Sequence, residues 1–305
     1  MRVFVSGAGG FAGSHLCEAL RDAGHDVTGM ARYCSRDTFG WLDEVEGIRK
    51  VRGDVRDPEQ MRKFIKGHDT VFHLAALGSV PYSYEGPRQF IETNVTGTLN
   101  VLLAAAEHGA KVIHTSTSEV YGTAQYTPMD EHHPINPQSP YAASKAAADA
   151  LVNSFYLTYG IPCVILRPFN TYGPRQSERA IIADICRKRA QKLPVTLGNA
   201  EAVRDFMYVK DTVAAFLAVS KLDRGTFNAA TGIGTRIGDL AQTATESDER
   251  LRPPASEVQK LVGSADKLKT VTGWRAHVTL ETGLMATEGW WRCREDIRKD
   301  VAYLT

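Results

Sequence analysis

Met1-Arg2-Val3-Phe4-Val5-Ser6-Gly7-Ala8-Gly9-Gly10-Phe11-Ala12-Gly13 opens the chain, and its reading decides the fold. Met1 to Ser6 alternates like a strand and feeds directly into the glycines, and a helix is expected from Ser14 to Ala23, ended by Gly24. Glycines 7, 10 and 13 make G-x-x-G-x-x-G. Such a loop lets the backbone approach a pyrophosphate closely, at a helix N-terminus whose free N–H groups and dipole favour anions. A glycine run alone is weak. Here the strand, loop and helix follow in the order a dinucleotide fingerprint requires.

Working outward, apolar strands are predicted over Asp26 to Met30, Ile48 to Arg52, Thr70 to Leu74, Lys111 to Thr115 and Cys163 to Arg167. Helices are expected from Pro58, from about Pro87 to His108 and from Ser139 to Tyr159. This alternation predicts an α/β fold with a doubly wound parallel sheet and a smaller C-terminal domain that binds substrate. The boundaries expected are 1–169 for the nucleotide-binding domain, with 205–230 returning to it, and mainly 170–305 for the second. The second strand ends at Ala31-Arg32, where an acid would accept from the ribose hydroxyls of NAD. Ala31 cannot do so; Arg32, with Ser35 and Arg36 following, can pair with a 2′-phosphate, which favours NADP. Asp54 can meet adenine or cap the next helix.

Of 305 residues, Lys+Arg number 36 against Asp+Glu 35, so no net field argues for nucleic acid or an acidic membrane surface. No apolar run approaches the ~18 residues of a membrane helix, and the strand expected over Met1 to Ser6 feeds straight into the glycine loop, leaving no room for a signal peptide. A soluble cytoplasmic protein is expected. Cys17, Cys34, Cys163, Cys186 and Cys293 are scattered and odd in number, and read as small apolar residues in a reducing compartment. His132-His133 beside Glu131, in a Pro-rich loop, read as solvent-facing, so no metal is expected.

Tyr141 and Lys145 are spaced i,i+4 at a helix start marked by Ser139-Pro140. Both leave one helical face, where an ammonium can bring a phenol towards the pH at which a general base works. Thr115-Ser116-Thr117-Ser118-Glu119 falls at the C-terminal end of a strand, where open sheets place ligands. In the second half, Arg179 lies in a donor-rich loop, and Arg204 and Arg252 lie on segments that could clamp a second diphosphate. Trp290-Trp291 reads as core packing.

Together these residues resemble the extended short-chain dehydrogenases/reductases that act on nucleotide sugars. The likeness rests on the glycine loop, Gly53-Asp54-Val55, His73-Leu74-Ala75-Ala76, Ser116 to Gly122, Tyr141 with Lys145, Arg167-Pro168-Phe169-Asn170, Arg204-Asp205-Phe206 and Arg252 to Val258. Thr117-Ser118-Glu119 is similar to the 4,6-dehydratase signature. Gly40-Trp41-Leu42-Asp43, Pro81-Tyr82-Ser83-Tyr84 and Arg167 to Gln176 resemble bacterial N-acetylglucosamine-nucleotide 4,6-dehydratases of the legionaminic-acid type.

The resemblance implies conversion of a UDP- or GDP-linked hexose or N-acetylhexosamine to its 4-keto-6-deoxy form, with hydride moving from C-4 to C-6 and a tightly bound, recycled NADP or NAD. It implies catalysis by Thr117, Ser118, Glu119, Tyr141 and Lys145. Cofactor contacts are implied for Gly7, Gly10, Phe11, Gly13, Arg32, Asp54, Val55, Leu74, Ala75, Ala76, Thr115, Tyr141, Lys145 and Phe169. Substrate contacts are implied for Ser79, Asn170, Arg179, Arg204, Arg252 and Glu257, and a homodimer through the helices around 87–108 and 139–159. Where some relatives carry Asp-Glu this chain has Ser118-Glu119, so one carboxylate would serve as both base and acid. A 4-epimerase of the same fold would not need Glu119. A non-catalytic Rossmann redox sensor would have no need of Thr117, Glu119, Tyr141 and Lys145 together.

Overall fold

The computed structural model describes residues 1–35, 37–241, 245–246 and 252–294. The first half alternates β1 (Arg2–Ser6), α1 (Phe11–Asp22), β2 (Asp26–Ala31), β3 (Arg49–Arg52), α2 (Pro58–Ile65) and β4 (Thr70–His73). Then come α3 (Val80–Glu85), α4 (Pro87–Phe90), α5 (Gly97–His108), β5 (Lys111–Thr115), α6 (Pro140–Tyr159) and β6 (Cys163–Pro168). The second half holds β7 (Asn170–Tyr172), α7 (Ile181–Ala190), β8 (Thr196–Leu197), β9 (Val203–Tyr208), α8 (Val209–Val219), β10 (Arg224–Ala229), α9 (Asp266–Thr272) and α10 (Leu280–Cys293).

Seven strands form one parallel sheet in the order β10-β6-β5-β4-β1-β2-β3. Helices α1 and α8 pack together, and α2, α5 and α6 form another packed set. Apolar strands such as β4, buried throughout, are what a sheet covered on both faces requires. The chain leaves β1 towards β2 and β3, then crosses to β4 and continues the other way. The order therefore reverses between β1 and β4, and the crevice beyond their C-terminal ends is where such sheets take ligands. A smaller layer is built on β9, which pairs with β7, with Gly234–Arg236 and with Lys260–Leu261. Asp205 pins this layer by accepting from the N–H groups of Thr231, Gly232 and Gly263.

Three elements differ from the sequence reading. Helix α1 starts at Phe11, a turn before Ser14, because the backbone turns helical directly after Gly10. Residues 80–85 form a helix where a loop was expected: the Ser79 hydroxyl accepts the Tyr82 N–H at 3.3 Å, and a proline sits in the first turn. The helix expected over 87–108 is broken by a π turn at Ile91–Thr96. Among the cysteines, Cys17, Cys163 and Cys186 are buried, Cys34 is half-buried and Cys293 is exposed. His133 does not face solvent: it is buried, and its Nε2 accepts the Gln125 N–H at 3.0 Å. Trp291 is buried, and Trp290 packs edge-on against Trp41. Among the described residues no helix is long and apolar enough to cross a membrane.

Candidate active site

Helix α6 carries the floor of the site. Its first turn is fixed by Pro140 and by Ser139, whose hydroxyl accepts the Ala142 N–H at 3.1 Å. Tyr141, Lys145 and Asp149 then follow at i, i+4 and i+8 along one face. Opposite, Thr117 caps a short 3-10 turn by accepting the Glu119 N–H at 3.2 Å, and its hydroxyl also hydrogen-bonds the Tyr141 phenol. One local turn thus places Thr117 against the phenol and Glu119 beside it; Thr117, Ser118, Glu119 and Lys145 are all buried.

The electrostatics run against the expectation that Lys145 brings the phenol down. Burial pushes Tyr141 up to about 12, opposed by the Thr117 hydrogen bond and reinforced by the charges of Glu119 and Asp149. Burial brings Lys145 down to about 8, opposed by Asp149. Desolvation penalises the charged form of each group, and for two groups in the same dry floor it outweighs their neighbours.

Behind the floor lies a network the sequence reading missed. Asp149 Oδ2 accepts from Ser116 Oγ at 2.9 Å, from Arg167 Nε at 3.0 Å and from Arg167 Nη2 at 2.9 Å. Arg167 Nη1 donates to the Tyr121 hydroxyl at 2.9 Å, which donates to Asn228 Oδ1 at 2.8 Å. His73 and His114 are buried here and neutral: burial takes His73 down to about 3 and His114 well below its ordinary value. Asn94, inside the π turn, donates to the Leu77 carbonyl at 3.0 Å and to Ser144 Oγ at 2.9 Å, tying the loop after β4 to α6. The i+8 spacing from Tyr141 was the legible sign of Asp149. Nothing local marked Asn94.

The crevice between β1 and β4 is lined by the expected glycines. At Gly7, with φ +71°, a Cβ would lie 2.6 Å from Ala75 N, and at Gly13 one would lie 2.3 Å from Gly7 O. At Gly10 a Cβ would lie 3.3 Å from Gly7 O, closer than an ordinary van der Waals contact. A cavity of about 410 Å³ continues from the loop past Arg32, Asp54, Val55, Leu74, Ala75 and Ala76. Buried Thr115 Oγ1 and Asn170 Oδ1 have no hydrogen-bond partner among the described residues. A backbone cradle without Cβ atoms at a helix start, opening into a long crevice, fits a dinucleotide. Phe11 is the first residue of α1 and half-buried. Arg32 is exposed at the far end of the cavity, and Arg36 lies outside the described residues. Asp54 is engaged by Arg56 Nη2 at 2.6 Å, which lowers its carboxyl below the usual range. Phe169 is buried, and a Cβ at Gly263 would touch its ring at 2.4 Å. The segment Gly40 to Asp43, quoted for the resemblance but given no cofactor contact, lies over the loop, where the Trp41 N–H donates to the Gly9 carbonyl at 3.0 Å.

The second wall comes from 252–258 and β9. Arg252 grips Glu119 with two hydrogen bonds, Nη1 to Oε2 at 3.2 Å and Nη2 to Oε1 at 3.3 Å. Arg204 is buried and donates to the carbonyls of Val258 at 2.7 Å and Val203 at 3.0 Å, with Glu257 at 3.9 Å. Tyr84 in α3 shares a 2.6 Å hydrogen bond with Ser256, so α3 and this segment meet. Arg179 stands apart, exposed on the loop before α7.

The family model for GDP-mannose 4,6-dehydratase matches residues 4–287. The chain is 31% identical to the UDP-glucose 4-epimerase of Mycolicibacterium smegmatis, over 96% of this chain and 99% of that one. It is 29% identical to a probable dTDP-glucose 4,6-dehydratase of Sinorhizobium fredii, over 95% and 94%. The crystal structure of DesIV, a dTDP-glucose 4,6-dehydratase from Streptomyces venezuelae with NAD bound, superposes with a TM-score of 0.89 at 26% identity, covering 99% of this chain and 100% of that one.

Proposed function

The chain belongs to the GDP-mannose 4,6-dehydratase family, with the fold of the extended short-chain dehydrogenases/reductases, and from that premise we propose that it is a nucleotide-sugar 4,6-dehydratase. Its substrate is a UDP- or GDP-linked hexose or N-acetylhexosamine with a free 6-hydroxyl. The observation that carries this reading is the buried Glu119 carboxylate beside Thr117 and Tyr141. Oxidation and reduction at C-4 alone leave a carboxylate there without work; elimination across C-5 and C-6 needs one.

We propose NADP as the cofactor, held by the glycine loop and the Arg32 end of the cavity. Held there, it would supply the acceptor for hydride from C-4 and the donor of hydride to C-6. Tyr141 takes the proton of the 4-hydroxyl, and the Thr117 hydroxyl steadies the phenolate oxygen. The resulting ketone acidifies C-5, where Glu119 removes the proton and delivers it to the departing 6-hydroxyl. Two protons leave the sugar, from O-4 and C-5, and two are used, one completing water and one returning to C-5. The proton parked on Tyr141 balances the one that C-5 regains, through exchange with solvent.

We also propose that a second copy of this chain packs against α5, α6 and the π turn before α5, where Leu103, Leu157, Tyr159 and Ile91 are exposed. Sedimentation of the protein with Leu157→Lys should then show monomers.

The deciding experiment runs UDP-, GDP-, CDP- and dTDP-sugars in heavy water without added reductant and reads the products by mass. A product lighter by one water, with one deuterium at carbon, is expected. A C-4 epimer of unchanged mass, with no deuterium gained, would make the protein an epimerase and leave Glu119 idle.

A further inference from the structure

We propose that Arg252 is a positioning residue for Glu119, and that the substrate's diphosphate releases this carboxylate by drawing Arg252 away from it. The inference deepens the reading above, since it takes Arg252 to be a diphosphate ligand.

Both Glu119 oxygens are held by one guanidinium, at 3.2 and 3.3 Å. A carboxylate gripped on both oxygens by one guanidinium has its charge offset and only the outer lone pair of each oxygen open, so it is a poorer base towards a carbon-bound proton than one that has been released. The two arginines beside it differ in how they are tied. Arg204 is fixed, with its donors spent on the backbone carbonyls of Val203, Val258 and Gln259. Among the described residues, both side-chain hydrogen bonds of Arg252 go to Glu119. Its side chain is also more open, at 19% exposed against 6% for Arg204. Arg252 is therefore the one that can change partners.

A diphosphate offers more acceptor oxygens and more charge than one carboxylate, and its geometry suits the guanidinium fork equally well. Once Arg252 has moved, the fixed charge of Arg204 remains within electrostatic reach of Glu119. The base is uncovered only when a diphosphate is in place.

The exchange predicts a coupling free energy between Glu119 and diphosphate binding. Uridine, thymidine, guanosine and cytidine diphosphates are titrated calorimetrically into the cofactor-loaded protein, and the tightest binder is carried forward. Glu119→Gln, which removes the competing charge, should tighten that nucleotide by about fivefold or more. In the Arg252→Ala background the same substitution should change affinity by less than about twofold. Glu119→Ala repeats the cycle with a side chain that cannot hydrogen-bond Arg252. Equal or weaker binding to both Glu119 variants would overturn the exchange. So would a gain that persists without Arg252, which would mean simple repulsion between Glu119 and the nucleotide. Failure of all four nucleotides to bind parent and variants alike would remove Arg252 as a diphosphate ligand, and the exchange with it. Turnover is not read, so an epimerase outcome in heavy water would leave this cycle standing.

Discussion

Two arginine–carboxylate pairs flank Tyr141 and Lys145, and they are built for different ends. The inner pair, Asp149 with Arg167, closes at 2.9 to 3.0 Å with both side chains under a tenth exposed; Ser116 donates a hydrogen bond to Asp149 Oδ2 and Tyr121 accepts one from Arg167, while Asp149 Oδ1 has no hydrogen-bond partner among the described residues. The outer pair, Glu119 with Arg252, is longer, at 3.2 and 3.3 Å, and among the described residues no hydroxyl supports Arg252. A buried ion pair costs stability when one partner is lost. The outer pair is free of that constraint, so its charges remain available to a ligand.

The sharpest contrast comes from removing each carboxylate. Glu119→Gln should lower the dehydration rate by about 10³-fold, in the range of lost general acid–base catalysis, and leave the unfolding midpoint near that of the parent. Mass spectrometry of product and a denaturant titration read the two sides. A variant that still eliminated water at the parent rate would end the assignment of Glu119.

Asp149→Ala should do the reverse in kind, costing about 3 kcal/mol of stability because Arg167 is left buried without its partner. A denaturation midpoint equal to the parent's would break the distinction between the pairs.

The pH profile probes the floor between them. With Lys145 brought down to about 8 and Tyr141 pushed up to about 12, the active form, phenolate with ammonium, has lost one proton from the pair. The first proton leaves near 8, so kcat/KM should rise with pH and level above about 8. Asp149 favours the protonated form of both groups, so Asp149→Asn should move this rise to lower pH by about one unit. Arg252→Lys should leave the rise where it is. A rise that shifted equally in both variants would show that the two pairs are not electrostatically distinct.

The smallest effect belongs to a cation outside both pairs. Arg32 is exposed, so Arg32→Ala should weaken NADP by about fivefold and leave NAD unchanged, as measured by fluorescence titration. Equal losses for the two cofactors would remove the 2′-phosphate argument.

How much was legible follows the distance over which each feature is encoded. The glycine loop, the alternation of strands and helices and the pair Tyr141 and Lys145 are written within a few residues, because backbone conformation and i,i+4 geometry are local. They were enough for the parallel sheet, the ligand crevice and the helical face of the site. Helix α3 and the π turn were missed because capping by Ser79 and the side-chain bonds of Asn94 outweigh the local pattern of prolines and polar residues.

By itself the sequence determined the frame, a dinucleotide fold, and singled out Thr117, Glu119, Tyr141 and Lys145 at its edge as the proposed reactive groups. Only the tertiary structure decided which charges these groups face. Glu119 and Arg252 are 133 residues apart, and Asp149 and Arg167 meet only because α6 packs against β6. Burial, which sets the phenol high and the ammonium low, is a property of the assembled core and of no stretch of chain taken alone.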